Sequence, residues 1–407
     1  MTEHFAGNPS RREFLGMVGG GLLAALLEVD AGWQRLVQTN VPGNRRVHVH
    51  RYEPAQTTAD AAVRAAMLAA TDLSWLRQGD SVFVKVSSNS NYGPPSVTSP
   101  EVLSGVVGLL KEAGAGDVYV GDMSGALFVR HLATGTTGST RDNMRANGLL
   151  DAAQATGALI HCFEEVPFAQ AYVPGIPAGD HHWGDDLQVA EILDRVDHIV
   201  NLPRLGKHVL AGASLGLKNG VGWISDYSRM VLHRDAATFH QKIAEINAIP
   251  QIADKTRLTL TLVDRALTTY GPDSGYHLAL AQPLIVAADD VVSHDQIALL
   301  TLLWGRQQTP RDVLAEDPYP AQSNGLNWWF VRVTWGEAAA DAYETLPVYD
   351  DLAATDTPTQ INYAYDFLHG GRPDQLEIVP GGLGLPETLT ALLGRYPALR
   401  IAVQDAI

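Results

Sequence analysis

The chain has 407 residues, 46% of them hydrophobic and 18% charged, and a formal net charge of −16. This is the composition of a core-forming globular protein, and its acidic balance argues against nucleic acid or an anionic membrane surface as a partner, since both reward clustered Lys and Arg. A single cysteine, Cys162, excludes an internal disulfide, an iron–sulfur cluster on cysteines and a zinc site of several cysteines, so any metal must rest mainly on nitrogen and oxygen ligands.

In chain order, the first element is SRREFLGMVGGGLLAALL (10–27), in which Arg11 and Arg12 precede Phe14, Leu15 and an apolar, glycine-rich run. That is the twin-arginine pattern, and residues 1–30 are expected to be a leader that engages the twin-arginine export machinery and places the protein in the periplasm or another extracytoplasmic compartment. The run from Phe14 to Leu27 falls short of the roughly 20 residues a bilayer core requires. No clean A-x-A cleavage site follows, so an uncleaved leader is the one membrane contact expected.

RVHVHRY (46–52) alternates as a half-buried strand, and 59–76 reads as an alanine-rich helix. DSVFVKV (80–86) is the next strand. Residues 98–122 then give a helix with Ser99 at its N-cap and Pro100 at its first position, a glycine stop and a further strand. This strand–helix–strand grammar predicts an α/β fold with a doubly wound, mostly parallel sheet. More strands are expected at 157–163, 197–202, 258–264 and 283–289, and a helix from Val291 to Trp304. Residues 46–305 thus read as one α/β domain, and 306–407, rich in turns and aromatics, as a C-terminal elaboration of it.

Ligands of such sheets gather at the carboxyl ends of the strands. Lys85, Ser87, Asn89 and Asn91 follow one strand, Asp122 and Ser124 another, Asn201 with Lys207 and His208 a third, and Asp264 a fourth. Each alone is an ordinary turn or cap residue, but their shared position points to one crevice in which Lys85, Asp122, His208, Lys218 and Asp264 converge. The segment GKHVLAGASLGLKNGVGW (206–223) frames Lys207, His208, Ser214 and Lys218 with glycines that let backbone approach a ligand closely. The cations point to a small anionic ligand, with Lys207, His208 and Lys218 as catalytic candidates. Lys85, Asn89, Asp122, Ser124, Asn219 and Asp264 are the candidates for holding a cofactor. A plainer alternative pairs Lys218 with a buried aspartate that ties two strands together.

LHRDAATFH (232–240) sets His233 and His240 seven residues apart, on one face of a continuous helix, and with Asp235 they make a nitrogen–oxygen set for a divalent metal. His48 and His50 on one strand, and His181, His182, Asp185 and Asp186 in one loop, are further metal candidates. A rival reading takes GASLG (212–216) as a G-x-S-x-G nucleophile elbow, with Ser214 served by Asp264 and by His277 or His294.

Several segments, among them SPEVLSGVVGLLKEAGAGDVYVGDMSG, HIVNLPRLGKHVLAGASLGLKNGVGW and IVAADDVVSHDQIAL, together resemble the DUF-362 family, a domain of unknown function, over residues 80–305. The core of the resemblance is N-x-P-x-x-G-K-H (201–208) followed by L-K-N-G (217–220). Where that family typically has Lys-Pro-Asn, this chain has Lys85, Val86 and Ser87. Many members carry a ferredoxin-like cluster module, which one cysteine cannot supply. The order His208, nine residues, Lys218, fourteen residues, His233 also resembles the nickel-pincer lactate racemases. That resemblance implies Lys218 as the anchor of a pyridinium-derived cofactor, His233 as a metal ligand and His208 as an acid/base. The function expected is therefore an exported enzyme, an isomerase or oxidoreductase, that uses a divalent metal or metal-containing cofactor for proton or hydride transfer on a small oxygenated acid. The alternative is an exported protein that binds such a metal or cofactor without turnover.

Overall fold

The computed structural model describes residues 45–185, 187–317, 328–329, 331–340 and 360–402. The twin-arginine stretch and Asp186 lie outside them. Among the described residues, no helix is long and apolar enough to cross a membrane.

Among the described residues the sheet has eleven strands: β1 (Arg45–Arg51), β2 (Val82–Val86), β3 (Val118–Gly121), β4 (Leu159–Ile160), β5 (His198–Leu202), β6 (Gly206–His208), β7 (Gly212–Ser214), β8 (Thr256–Leu267), β9 (His277–Ala288), β10 (Leu376–Gly382) and β11 (Leu399–Ile401). They pair in the order β11-β10-β1-β9-β8-β5-β2-β3-β4, with the β6–β7 hairpin attached to β8. Every strand along that path runs the same way except β9, which is antiparallel to both β1 and β8. The expected mostly parallel sheet is present.

Helices cover both faces. In β2, alternation sends Val82, Val84 and Val86 to the face packed by α1 (Ala59–Ala70) and α2 (Pro100–Glu112). Phe83 goes to the opposite core, with residues of α3 (Asp226–His233), α4 (Phe239–Ile246) and α5 (Val291–Arg306). Lys85, two residues on from Phe83, shares its face. Ser99 and Pro100 start α2 as expected, although the Ser99 hydroxyl turns to the Glu101 carboxylate and leaves the helix N–H groups uncapped.

β3 and β4 lie on one side of β2, while β5 and β8 lie on the other. The winding reverses between β2 and β5, and a crevice opens beyond their carboxyl ends, after Val86 and Leu202. The C-terminal part does more than pack on the sheet: β10 pairs in parallel with β1 along its whole length, and β11 adds the edge.

Candidate active site

The crevice holds a pocket with about 790 Å³ of non-atom space, part of it open to solvent. Its floor is an ion pair. Lys85 is fully buried, and its Nζ lies 2.7 Å from Asp122 Oδ1. The ammonium also donates to the Val86 carbonyl at 2.7 Å and to Asn219 Oδ1 at 3.3 Å, so all three of its protons are taken. Asp122 in turn accepts the Ser88 N–H at 2.7 Å and the Met123 N–H at 2.8 Å, which ties the loops after β2 and β3 together. Burial pulls the Lys85 pKa down and the Asp122 carboxylate opposes that pull. Asp122 lines the pocket; Lys85 lies beneath it.

Gly222 crosses directly over this pair. A Cβ there would stand 2.5 Å from Asp122 Oδ1 and in collision with Lys85 Nζ. Gly222→Ala is expected to lower stability by about 1–3 kcal/mol, the usual range for overpacking, measured as a lower urea midpoint at unchanged m-value.

The β6–β7 hairpin forms the next wall. It turns through Val209, Leu210 and Ala211 and closes at Gly212, whose φ of +75° is the left-handed conformation that glycine adopts without strain. Adjacent strand residues face opposite ways, so His208 lines the pocket and Lys207 does not. Lys207 is buried elsewhere, at 2% exposure, which removes it from the catalytic candidates. A short helix, Gly216–Asn219, follows β7; the Gly216 and Leu217 N–H groups both donate at 2.7 Å to the buried Asp295. That clamp fixes the turn carrying Lys218 to the pocket. Asn219 is held by Asn201 at 2.7 Å and spans to Lys85.

Three cations face the pocket. Arg204 bonds Ser214 Oγ at 3.2 Å and the Ser96 carbonyl, and pairs with Asp273 at 3.3 Å; Asp273 also accepts from Asn89 at 2.8 Å. Arg229 donates to four main-chain carbonyls, of Ser124, Met123, Gly222 and Val221, at 2.7 to 3.2 Å, and among the described residues no carboxylate pairs with it. Lys218 is part-exposed to the pocket and, among the described residues, has neither a hydrogen-bond acceptor nor an ion-pair partner. The plainer reading of Lys218 as half of a buried ion pair is thereby overturned. Burial and the charges of Arg204 and Arg229 bring its pKa down from 10.5 to about 7, with Asp273 opposing.

The two pocket histidines are neutral and hold opposite tautomers. His208 Nδ1 accepts the N–H groups of Leu210 at 3.0 Å and Ala211 at 3.2 Å, so its proton is on Nε2. His233 Nδ1 donates to the Arg229 carbonyl at 2.7 Å, so its lone pair is on Nε2. Burial, with Lys218 next in importance, pushes the His208 pKa far below its ordinary value and that of His233 down to about 3. The His233 ring stacks on Trp335 at 4.8 Å, a second pocket residue.

Other expected site residues lie apart. Asp264 points to the opposite face of the sheet, with Leu258, Leu260 and Leu262 and near Tyr52 and Glu101, so it does not join the crevice. The Ser124 hydroxyl is used up between the Ser88 carbonyl and Asn143, and it does not line the pocket. His233 and His240 do not share a helix face, because the helix breaks between His233 and Phe239. Asp235 sits in that break, bound to Thr238 and to Lys242 at 2.7 Å, and His240 bonds Gln360. Among the described residues, no three His, Cys, Asp or Glu side chains stand together as a metal site. That also covers His48, His50, His181, His182 and Asp185; His182 instead bonds Glu245. The nucleophile elbow is likewise absent. Ser214 ends a hairpin strand and bonds Arg204, while His294 is engaged with Thr261 and Asp295, and His277 with Ser96.

Residues 82–299 match the family model of a domain of unknown function, DUF362. The chain belongs to the DUF362 family. The DUF362 match runs from β2 into α5 and takes in every pocket residue named above except Trp335. A thylakoid-associated protein of Synechocystis sp. is 23% identical over 227 residues, which is 54% of this chain and 64% of that protein, so the chain spans just under two thirds of this relative's length. A crystal structure of a Thermotoga maritima protein aligns with a TM-score of 0.34 at 16% identity, covering 51% of each chain. The lactate racemase apoprotein of Thermoanaerobacterium thermosaccharolyticum aligns with a TM-score of 0.33 at 15% identity, covering 55% of this chain and 51% of the other.

Sequence reasoning missed Arg204, Arg229, Asp273 and Trp335 in this DUF362 pocket. Arg204 lay in view, two residues beyond the end of β5. Arg229 was one helical turn before His233, at the spacing that lets its carbonyl fix the ring. Trp335 is more than a hundred residues further on, and nothing local marks it.

Proposed function

We propose that this DUF362 protein is an exported enzyme that binds a small oxygenated acid and moves a proton at the carbon next to its carbonyl group. The observation that carries this reading is a cluster of three cations, two of them without a carboxylate partner among the described residues, beside two neutral histidines of opposite tautomer. A buried cation without a counter-charge is unfavourable in the free protein, and an anionic ligand relieves it. Arg204 and Arg229 grip the carboxylate, and Lys218 adds charge when protonated. The Nε2–H of His208 donates to the carbonyl oxygen as negative charge develops there, and Nε2 of His233 accepts the carbon-bound proton. A metal held by the chain's own side chains does not fit the dispersed His233, Asp235 and His240, and no metal step enters the reading.

Proton NMR in D₂O with pyruvate and 2-oxobutyrate tests the chemistry: solvent deuterium should enter C3, and His233→Gln should stop the exchange while the acid still raises the melting temperature. Binding without exchange by the unaltered protein would instead establish the non-catalytic alternative.

Affinity has a defined pH dependence. Lys218 is charged below its pKa of about 7 and neutral above it, while His208 and His233 stay neutral from weakly acid to alkaline pH. Arg204, Arg229, Asp122 and Asp273 are the other charged groups facing the ligand. Affinity for a non-reacting anion such as phenyl-lactate is therefore expected to weaken as pH rises from 6 to 8, about tenfold by calorimetry, the equivalent of about 1.4 kcal/mol; a flat profile would contradict the role of Lys218.

Export rests on Arg11 and Arg12. Replacing both by lysine should leave the protein in the cytoplasm, and unchanged secretion of that variant would remove the leader from this reading.

A further inference from the structure

An arginine would serve anion binding better than Lys218, which loses its charge near neutral pH beside two guanidiniums. What a neutral amine offers instead is a lone pair. We propose that Lys218 is a nucleophile that forms an imine with the carbonyl carbon of a 2-oxo acid whose carboxylate rests on Arg204 and Arg229. This deepens the function proposed above and depends on its anion site.

Four observations favour it. Lys218 opens onto the pocket and, among the described residues, has no hydrogen-bond or ion-pair partner, so no donor engages the lone pair of its neutral amine. Burial, with the charges of Arg204 and Arg229, keeps part of the amine unprotonated at neutral pH, the device by which a buried lysine becomes reactive. His208 and His233 line the same pocket as Lys218, the first with a proton on Nε2 and the second with a lone pair there, so a proton donor and a proton acceptor are both at hand. Leu127, Phe128 and Trp335 add apolar surface to the same pocket, which suits the carbon chain of the acid.

In the step itself the Nζ lone pair forms a bond to C2, and the C=O π pair moves onto oxygen. His233 carries one amine proton to that oxygen, giving a carbinolamine. The nitrogen lone pair then expels the oxygen, which takes the second amine proton and leaves as water. Amine and carbonyl have become imine and water, with no oxidant or reductant consumed. The C=N group withdraws electrons from C3 more strongly than the ketone once protonated, so it assists removal of the C3 proton by His233.

The test uses the full-length protein with pyruvate or 2-oxobutyrate and sodium cyanoborohydride, read by intact mass and peptide mapping. The expected result is one reduced adduct per chain, located on Lys218, formed faster as pH rises through about 7 and suppressed by phenyl-lactate. Lys218→Arg, its fold checked by thermal melting, should form none. An adduct that is absent, scattered over other lysines, or retained in Lys218→Arg overturns the proposal. Deuterium exchange at C3 with no trappable adduct would overturn the imine alone and leave direct enolisation at the same site. Failure of any 2-oxo acid or phenyl-lactate to raise the melting temperature would remove the anion site, and with it both proposals.

Discussion

Replacing Lys85 by methionine is expected to cost about 3–5 kcal/mol of stability, because it leaves the Asp122 carboxylate buried without its counter-charge. The ammonium is enclosed, with Nζ at 2.7 Å from Asp122, at 2.7 Å from the Val86 carbonyl and under Gly222. The double variant Lys85→Met with Asp122→Leu should recover only part of the loss, since the Ser88 and Met123 N–H groups would then lack their acceptor. Urea unfolding of both variants checks this; a Lys85→Met protein within 1 kcal/mol or so of the parent would show that the pair contributes little.

Lys218→Met is expected to do the reverse. It should lower affinity for the anion more than tenfold at pH 6, a change of about 1.4 kcal/mol or more, and abolish any covalent adduct, without destabilising the ligand-free protein. The sign follows from the proton balance. Folded Lys218 titrates near 7 and the unfolded side chain near its ordinary 10.5, so between these values the unfolded state binds more protons and stability rises with pH. The penalty of carrying the charge is fully present below about 7 and gone above 10.5. Ligand-free Lys218→Met should therefore melt above the parent at pH 6, with the difference vanishing toward pH 10.5. A melting temperature well below the parent at pH 6 would mean that the ammonium has a structural partner.

These opposite outcomes for two lysines of one site show what a sequence does and does not disclose. The β2–α2–β3 unit was legible because each boundary has a local cause: alternation in VFVKV, Pro100 at the first helical position, glycine after the last turn. Placing Asp122 and His208 in one crevice followed from strand ends, and Lys218 from the glycine-framed segment after them. Asp264 failed by the same rule, since it shares the face of Leu260 and Leu262 and points away from the pocket. The proposed metal set failed because seven-residue spacing aligns side chains only in an unbroken helix, and Asp235 ends the turn by binding Thr238 and Lys242. Which lysine is paired and which is not depends on contacts such as Asp122 to Lys85, between separate strands. No spacing encodes that.

The pairing of β10 with β1 sets the timetable of folding. Arg46 and Glu377, joined across these strands at 2.7 Å, are 331 residues apart, so β1 leaves the ribosome long before its outer neighbour exists. Until then β1 presents a bare edge of unpaired backbone groups, open to other chains, and closing so long a separation is slow. A nascent or truncated protein ending before Leu376 is thus the aggregation-prone species.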